Sequence, residues 1–179
     1  MKISVIGSGA WGTALSLLLL ENGNDVTLWS YFKKECEAME QTRENPFLKG
    51  IPIPEKLRLT SDLSCAGGAD AVIFAVPSFA VRETAKKLAP ILSPKTVIIS
   101  VAKGIEKDTS LRMSQVIDEE LHGSNIVAAL SGPSHAEEVG RRIPTACVSA
   151  CPDIEVAEWV QDMFMNERFR VYTSSDIIG

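Results

Sequence analysis

The chain has 179 residues, of which 45% are hydrophobic and 23% charged, so it has the composition of an ordinary globular protein with one buried core. A formal net charge of -5 without any basic run excludes nucleic acid as a partner, and no apolar stretch approaches the roughly 20 residues that span a bilayer. Four scattered cysteines, Cys36, Cys65, Cys147 and Cys151, match neither a disulfide scaffold nor a zinc site, so we expect buried thiols, no metal and a cytoplasmic location.

Short runs rich in valine and isoleucine alternate with stretches in which apolar residues recur at helical spacing. In chain order we predict a strand at 3–6, a helix at 11–22, a strand at 26–29, a helix at 33–41, an irregular excursion at 45–55, strands at 57–60 and 71–76, a helix at 79–92, a strand at 96–101, a helix at 110–122, strands at 126–130 and 145–150, a helix at 154–164 and a strand at 169–172. This alternation predicts an α/β fold of the Rossmann type, with a doubly wound, mostly parallel sheet and helices on both faces.

A glycine-rich turn follows the first predicted strand at once, and the first predicted helix begins within it. In such turns the first glycine allows the tight bend, the second lets the backbone approach a pyrophosphate, and the third lets the helix pack closely on the strand. Free amides at the helix start then face the anion, assisted by the helix dipole. The pattern predicts a nicotinamide dinucleotide bound by the turn residues Gly7, Ser8, Gly9, Ala10, Trp11 and Gly12, the alternative being a tight turn without a ligand.

The end of the second predicted strand indicates which dinucleotide is bound. A carboxylate there would accept hydrogen bonds from the ribose and repel a 2′-phosphate, but residues 28–32 contain no acidic side chain. Ser30 and Tyr31 can hydrogen-bond a phosphate, and Lys33 or Lys34 can neutralise it. We therefore expect NADP(H) to be preferred and NAD(H) to be the second candidate, unless both lysines only solvate the start of the next helix.

Three further strand ends face the same crevice, because ligands of open α/β sheets bind outside the carboxyl ends of the strands. These ends are Val76-Pro77-Ser78, Lys103-Gly104 and Ser131-Gly132-Pro133-Ser134. Lys103 is the cation that we expect to reach cofactor and substrate, the alternative being an ordinary surface lysine. Ser134 is expected to be the N-cap of a short helix whose free amides can hold a second anion. His135 has glutamates beside it in the same turn, so we expect it to face solvent and to take no part in catalysis.

The order and spacing of six motifs fit one family from end to end. They are Gly7 to Ala14, Asn45 to Leu48, Val76 to Ser78, Lys103-Gly104, Ser131 to Ser134 and Pro144-Thr145, and the similarity extends to Arg170, Tyr172 and Asp176. With these motifs the chain resembles the bacterial NAD(P)-dependent glycerol-3-phosphate dehydrogenases. The resemblance implies reversible hydride transfer between NAD(P)H and dihydroxyacetone phosphate, yielding sn-glycerol 3-phosphate for phospholipid synthesis.

The resemblance also implies roles for individual residues. Contacts to the dinucleotide fall on Gly9, Ala10, Trp11, Tyr31, Lys103 and Ala136, and contacts to the substrate fall on Lys103, Gly132 and Ser134. A cation at Lys103 would lie between nicotinamide and substrate, where it can polarise the carbonyl as negative charge develops on the oxygen. Lys103 is then a supporting residue, because the proton-donating lysine of the family has no counterpart in this chain.

In the family, that lysine belongs to a largely helical second domain that begins at about Asp176. We therefore expect residues 1–179 to be the dinucleotide-binding domain of a longer enzyme, which binds NADPH but turns over substrate negligibly. Two other hypotheses stay open, a stand-alone dinucleotide sensor and a related two-domain hydroxyacid dehydrogenase. The expected partner is a small-molecule substrate, and an apolar surface left by an absent domain does not exclude a homodimer.

Overall fold

A computed structural model describes residues 1–178 of the chain. Its strands are β1 Lys2–Ile6, β2 Asp25–Trp29, β3 Arg58–Thr60, β4 Ala71–Phe74, β5 Val97–Ser100, β6 Val127–Ser131, β7 Thr145–Ala150 and β8 Phe169–Ser174. Its α-helices are α1 Ala10–Glu21, α2 Lys33–Thr42, α3 Ser78–Leu88, α4 Met113–Glu120, α5 Ala136–Gly140 and α6 Ile154–Phe164, and a 3-10 helix at Leu63–Ala66 precedes β4.

All eight strands form one sheet, in the order β3-β2-β1-β4-β5-β6-β7-β8. The first six strands of this order pair in parallel, β7 is antiparallel to β6, and β8 is parallel to β7. The predicted doubly wound, mostly parallel α/β fold is thus confirmed. The strand order reverses between β1 and β4, which places the ligand crevice of such a sheet outside the carboxyl ends of these two strands.

Apolar side chains fill both faces of the sheet, as continuous hydrophobic strands require. One core cluster joins Ile3 and Val5 of β1 to helices α1 and α6, and a second cluster joins Ile6 to α3 and α4. The polar side chain of Ser4 in β1 is also fully buried, and its hydroxyl donates to the Cys65 carbonyl at 2.8 Å. The sheet is therefore a rigid layer from which the loops at its carboxyl edge project.

Two helices are shorter than their apolar spacing predicts. The helix predicted at 110–122 begins only at Met113, because Ser110 has a φ of 59°, which a right-handed helix excludes. It ends at Glu120, and His122 has a φ of 53°. The helix predicted at 79–92 ends at Leu88, just before Pro90. Within residues 1–178, every helix is too short or too polar to cross a bilayer.

Candidate dinucleotide-binding site

Gly7 and Gly12 close the turn between β1 and α1 by direct backbone packing. Gly7 has a φ of 122°, and a Cβ atom built on it would lie 2.7 Å from the carbonyl carbon and oxygen of Ala75. A Cβ atom on Gly12 would lie 1.9 Å from the carbonyl oxygen of Gly7. Both positions therefore exclude any side chain for reasons internal to the protein, as their place in the turn predicts.

Gly9 differs from these two glycines, because the protein itself does not require it. A Cβ atom built on Gly9 would meet no atom within 4 Å, and its φ of -66° and ψ of 177° are open to any residue. Gly9 is the N-cap of α1 and provides no side-chain cap, and no acidic residue lies in the first turn of that helix. The amides of this turn therefore face an open cradle, which a pyrophosphate fits.

Asn45 holds the turn from inside the protein. It is only 1% exposed, and its Nδ2 donates to the Ser8 carbonyl at 2.9 Å and to the Thr13 hydroxyl at 2.6 Å. Its Oδ1 accepts a hydrogen bond from the amide of Phe47 at 2.9 Å, which shapes the chain locally, while the two Nδ2 bonds fix the excursion that follows α2 against the glycine turn. The irregular segment at 45–55 is thus a support of the candidate site.

Ser30 lies inside the protein instead of facing the crevice. It is 1% exposed, and its hydroxyl accepts a hydrogen bond from Ser8 at 2.8 Å and donates to the Phe32 carbonyl at 3.4 Å. This differs from the solvent-facing hydroxyl that we expected as a phosphate ligand. The physical reason is that the ends of β1 and β2 are adjacent, so the two serines join their loops.

Tyr31 and Lys33 are exposed at the end of β2, as expected. The Tyr31 side chain is 65% exposed and packs edge-on against Trp29 and Phe32, with ring centroids 6.0 Å and 5.0 Å away. Lys33 lies 3.7 Å from Glu37 on the same exposed helix face, an arrangement that constrains it little. A second cation, Lys87 of α3, lies with its Nζ 5.7 Å from the Tyr31 ring centre. The end of β2 therefore combines an exposed aromatic ring with positive charge.

Lys103 and Gly132 come together across the carboxyl ends of β5 and β6. The exposed Lys103 Nζ donates a hydrogen bond to the Gly132 carbonyl at 3.3 Å. A Cβ atom on Gly132 would lie 2.8 Å from the Ala146 carbonyl oxygen, so this segment packs directly on β7. A cavity of about 290 Å³ opens beside the lysine, and its lining includes Ser100, Lys103, Gly104, Arg112, Ser131 and Ile177.

Ser134 is not the helix cap that we expected. The N-cap of α5 is His135, which makes no side-chain capping bond, while Ser134 is 8% exposed and accepts a hydrogen bond from the Cys147 thiol at 3.5 Å. Burial raises the pKa of this thiol. Ala136, the first residue of α5, is also buried, and His135 faces solvent as expected. Cys36, Cys147 and Cys151 are buried free thiols, and Cys65 is half-buried.

Comparison with known proteins assigns the chain to a family. Residues 2–157 match the family model described as NAD-dependent glycerol-3-phosphate dehydrogenase N-terminus. The chain belongs to this family. The match favours neither a stand-alone sensor nor a hydroxyacid dehydrogenase, the two other hypotheses that the sequence left open.

Individual relatives of the glycerol-3-phosphate dehydrogenase family agree with the family model. The chain is 48% identical to glycerol-3-phosphate dehydrogenase [NAD(P)+] of Fusobacterium nucleatum, over all of this chain and 54% of the relative. It is 50% identical to the protein of that name from Moorella thermoacetica, over 99% of this chain and 53% of the relative. A crystal structure of glycerol-3-phosphate dehydrogenase from Coxiella burnetii superimposes with a TM-score of 0.92 at 35% identity, over 98% of this chain and 54% of that structure. The chain thus spans about half the length of these relatives.

The family match does not itself explain three features of the site that the sequence reasoning missed. The role of Asn45 had a partial signal, because the Asn-Pro-Phe-Leu motif was part of the resemblance. Lys87 had none, since only the fold brings α3 to the end of β2. The same holds for Arg82, whose side chain pairs with glutamates that follow it by more than twenty positions.

Proposed function

We propose that this chain is the cofactor-binding half of an enzyme that interconverts dihydroxyacetone phosphate and sn-glycerol 3-phosphate with NAD(P)H, in glycerophospholipid synthesis. The observation that carries the proposal is the open cradle at Gly9, which lies in the same crevice as the Lys103–Gly132 pair. When bound, the dinucleotide supplies or accepts the hydride. The protein binds and orients both reactants.

In this proposal the dinucleotide lies along the carboxyl edge of the sheet. The turn from Gly7 to Gly12 holds its pyrophosphate, with Gly9 leaving the space and the Ala10 and Trp11 amides donating, while the Gly7 amide donates to the Trp29 carbonyl at 3.0 Å and fixes the turn. Tyr31 and Lys33 receive the adenosine end, and Lys103 and Ala136 receive the nicotinamide end. Ser8 contributes its backbone, because its hydroxyl is used by Ser30.

The substrate then lies between Lys103 and the segment that contains Gly132 and Ser134. The Lys103 ammonium can stabilise negative charge on the carbonyl oxygen of the substrate while hydride is transferred. The buried Ser134 fixes this segment on Cys147, so that its backbone presents a fixed surface to the substrate phosphate. No residue of this chain is proposed as the proton donor.

We propose NADP(H) as the preferred cofactor because the end of β2 carries lysines and no carboxylate. The test is a fluorescence titration of the chain with NADPH and with NADH, in which NADPH should bind more tightly. Lys33→Ala should weaken NADPH binding by about fivefold, the effect of losing one solvent-screened charge contact, and leave NADH binding unchanged. Lys95→Ala, an exposed lysine just before β5, is the matched control. Tighter binding of NADH would overturn the preference.

We further propose a cytoplasmic location and a small-molecule substrate as partner. The free, buried cysteines support a reducing compartment. A homodimer is also proposed, because exposed apolar side chains at Val148, Tyr172 and Ile178 lie on or beside the last two strands. Light scattering of the purified protein tests this; a monomeric mass at micromolar concentration would contradict it.

A further inference from the structure

Lys103 lies on a long loop, and contacts with neighbouring elements hold this loop in place. This loop, residues 101–112, is called the Lys103 loop here and connects β5 to α4. Val101 is buried at the start of the loop, but Lys103, Gly104 and Ile105 are all exposed, so burial of their side chains does not fix these three residues. Later in the loop the Glu106 amide donates to the Leu111 carbonyl at 2.9 Å, which makes residues 106–111 a compact turn.

One side chain of α3, Arg82, binds this turn. The Arg82 guanidinium donates twice to the Glu106 carboxylate, from Nε at 2.8 Å and from Nη2 at 2.7 Å. Two parallel hydrogen bonds fix orientation as well as distance. The same guanidinium pairs with Glu119 at 2.7 Å and with Glu120, so it is itself held by α4. The hydrogen bonds from Arg82, together with one from the Thr109 hydroxyl at 2.6 Å, hold the pKa of Glu106 at about 2, well below its ordinary range.

On the same face of α3, Ser78 lies close to the residue next to Lys103. Gly104 has a φ of 127°, and a Cβ atom built on it would lie 3.0 Å from the Cβ of Ser78. Ser78 and Arg82 are four positions apart and so lie on one face of the helix. Gly104 therefore packs closely against α3, with no room for a side chain, and Glu106, two residues further on, is hydrogen-bonded to the same helix.

We propose that Arg82 and Glu106 are positioning residues that keep the Lys103 ammonium at the Gly132 carbonyl, inside the crevice. This inference rests on the proposed role of Lys103 in the reaction. The two parallel hydrogen bonds between Arg82 and Glu106 support a positioning role, because they constrain the orientation of the loop as well as its distance from α3. A displacement of about 1 Å at a reacting group can reduce rates by roughly a hundredfold.

The test is a double-mutant cycle in the enzyme that carries this chain, with kcat/KM for dihydroxyacetone phosphate as the readout. Glu106→Gln removes the ion pair while keeping the shape of the side chain, and it should lower kcat/KM roughly 10- to 100-fold. NADPH affinity should fall far less, because the proposed contacts of the dinucleotide at the β1 turn and at the end of β2 do not involve the Lys103 loop. In a Lys103→Met background the same exchange should have no further effect, since two residues that act as one unit are not additive.

Glu119→Gln is the matched control, because Glu119 contacts the same guanidinium from α4 and not from the Lys103 loop. It should change kcat/KM less than about twofold, the effect of an exposed pair. Arg82→Lys, which keeps the charge and loses the bidentate geometry, repeats the cycle if Glu106→Gln folds poorly.

Each outcome of the cycle decides between the two proposals. An unchanged kcat/KM in Glu106→Gln, or an additive loss in the double variant, would overturn the positioning role and leave the proposed function intact. An unchanged kcat/KM in Lys103→Met would overturn the role of Lys103 itself, and the positioning role with it.

Discussion

The three glycines of the first turn differ in the atoms that surround them. Two are packed against backbone atoms, and the third faces open space that a ligand can occupy. Gly7 and Gly12 are excluded from carrying a Cβ atom by the carbonyls of Ala75 and Gly7, while the space in front of Gly9 is open. All three fit the same sequence pattern. Their substitutions should therefore affect different properties, stability for Gly12 and cofactor affinity for Gly9.

The matched pair Gly12→Ala and Gly9→Ser tests this difference. Gly12→Ala forces its methyl group against the Gly7 carbonyl and should lower the free energy of unfolding by at least roughly 1–3 kcal/mol, the range for overpacking. Gly9→Ser should leave that free energy unchanged or slightly raised, because serine is a good N-cap, yet weaken NADPH binding at least about tenfold, since its side chain occupies the cradle and its hydroxyl takes a first-turn amide. Urea unfolding and NADPH titration measure the two effects, and a stability loss in Gly9→Ser larger than in Gly12→Ala would contradict the assignment.

At the scale of elements, the carboxyl-edge loops are held by contacts between segments far apart in the chain. Asn45 fastens the 45–55 segment to the glycine turn, and Glu106 fastens the Lys103 loop to α3. In both cases side-chain hydrogen bonds join the two segments, whereas within the sheet backbone hydrogen bonds join the strands. The site is therefore sensitive to residues that touch neither cofactor nor substrate.

Asn45→Ala should be costly for this reason. It leaves the buried Ser8 carbonyl without its donor, and a buried polar group without a partner costs about 1–3 kcal/mol of stability. NADPH affinity should fall as well, because the turn loses its support. Urea unfolding with and without NADPH measures both. The control is Asn22→Ala, whose amide also donates to a backbone carbonyl, that of Met163, at the opposite end of α1; it should leave NADPH affinity unchanged.

The Arg82–Glu106 pair predicts a particular response to acid. The pKa of Glu106 is about 2 in the folded protein against an ordinary 4.5, so the unfolded chain binds more protons between these values. The stabilisation is complete above pH 4.5 and is lost as the pH falls towards 2. Besides Arg82, the charged groups around Glu106 are Glu119, Glu120 and Lys86.

Glu106→Gln should accordingly flatten the fall of the melting temperature across this acid range. Glu83→Gln removes an exposed carboxylate of α3, the helix that carries Arg82, and controls for the loss of one charge. The same slope in both variants would show that the pair contributes nothing to acid sensitivity.

Local pattern predicted the elements well and their long-range contacts poorly. The apolar runs located every strand, because strands buried on both faces must be continuously hydrophobic. The reversed direction of β7 carried no such signal, since a buried strand looks the same in either direction. Helix spacing continued through Ser110 to Arg112, where the pairing of the Lys103 loop, and not residue preference, excludes helix. Ser30 was misplaced because burial of its hydroxyl depends on Ser8, on another strand end.

At the scale of the whole molecule, the sheet brings the proposed cofactor and substrate residues to one edge, and none of the residues described is proposed as the proton donor. The chain also spans about half the length of its relatives. We therefore expect the purified chain to bind NADPH and not to oxidise it when dihydroxyacetone phosphate is added. Loss of NADPH absorbance over time is the measurement, with the enzyme that carries this chain as the positive control. Appreciable turnover would show that the rest of the enzyme is dispensable.

The inner position of β1 has a consequence for how the protein is made. This first strand has neighbours on both sides, and its residue Ile3 pairs with Ala71 of β4, which the ribosome adds 68 positions later. At about 5–20 residues per second, the nascent chain spends several seconds with one edge of an apolar strand unpaired. Strand edges of this kind pair readily with other chains, so the interval before β4 emerges exposes newly made molecules to pairing with the wrong strand.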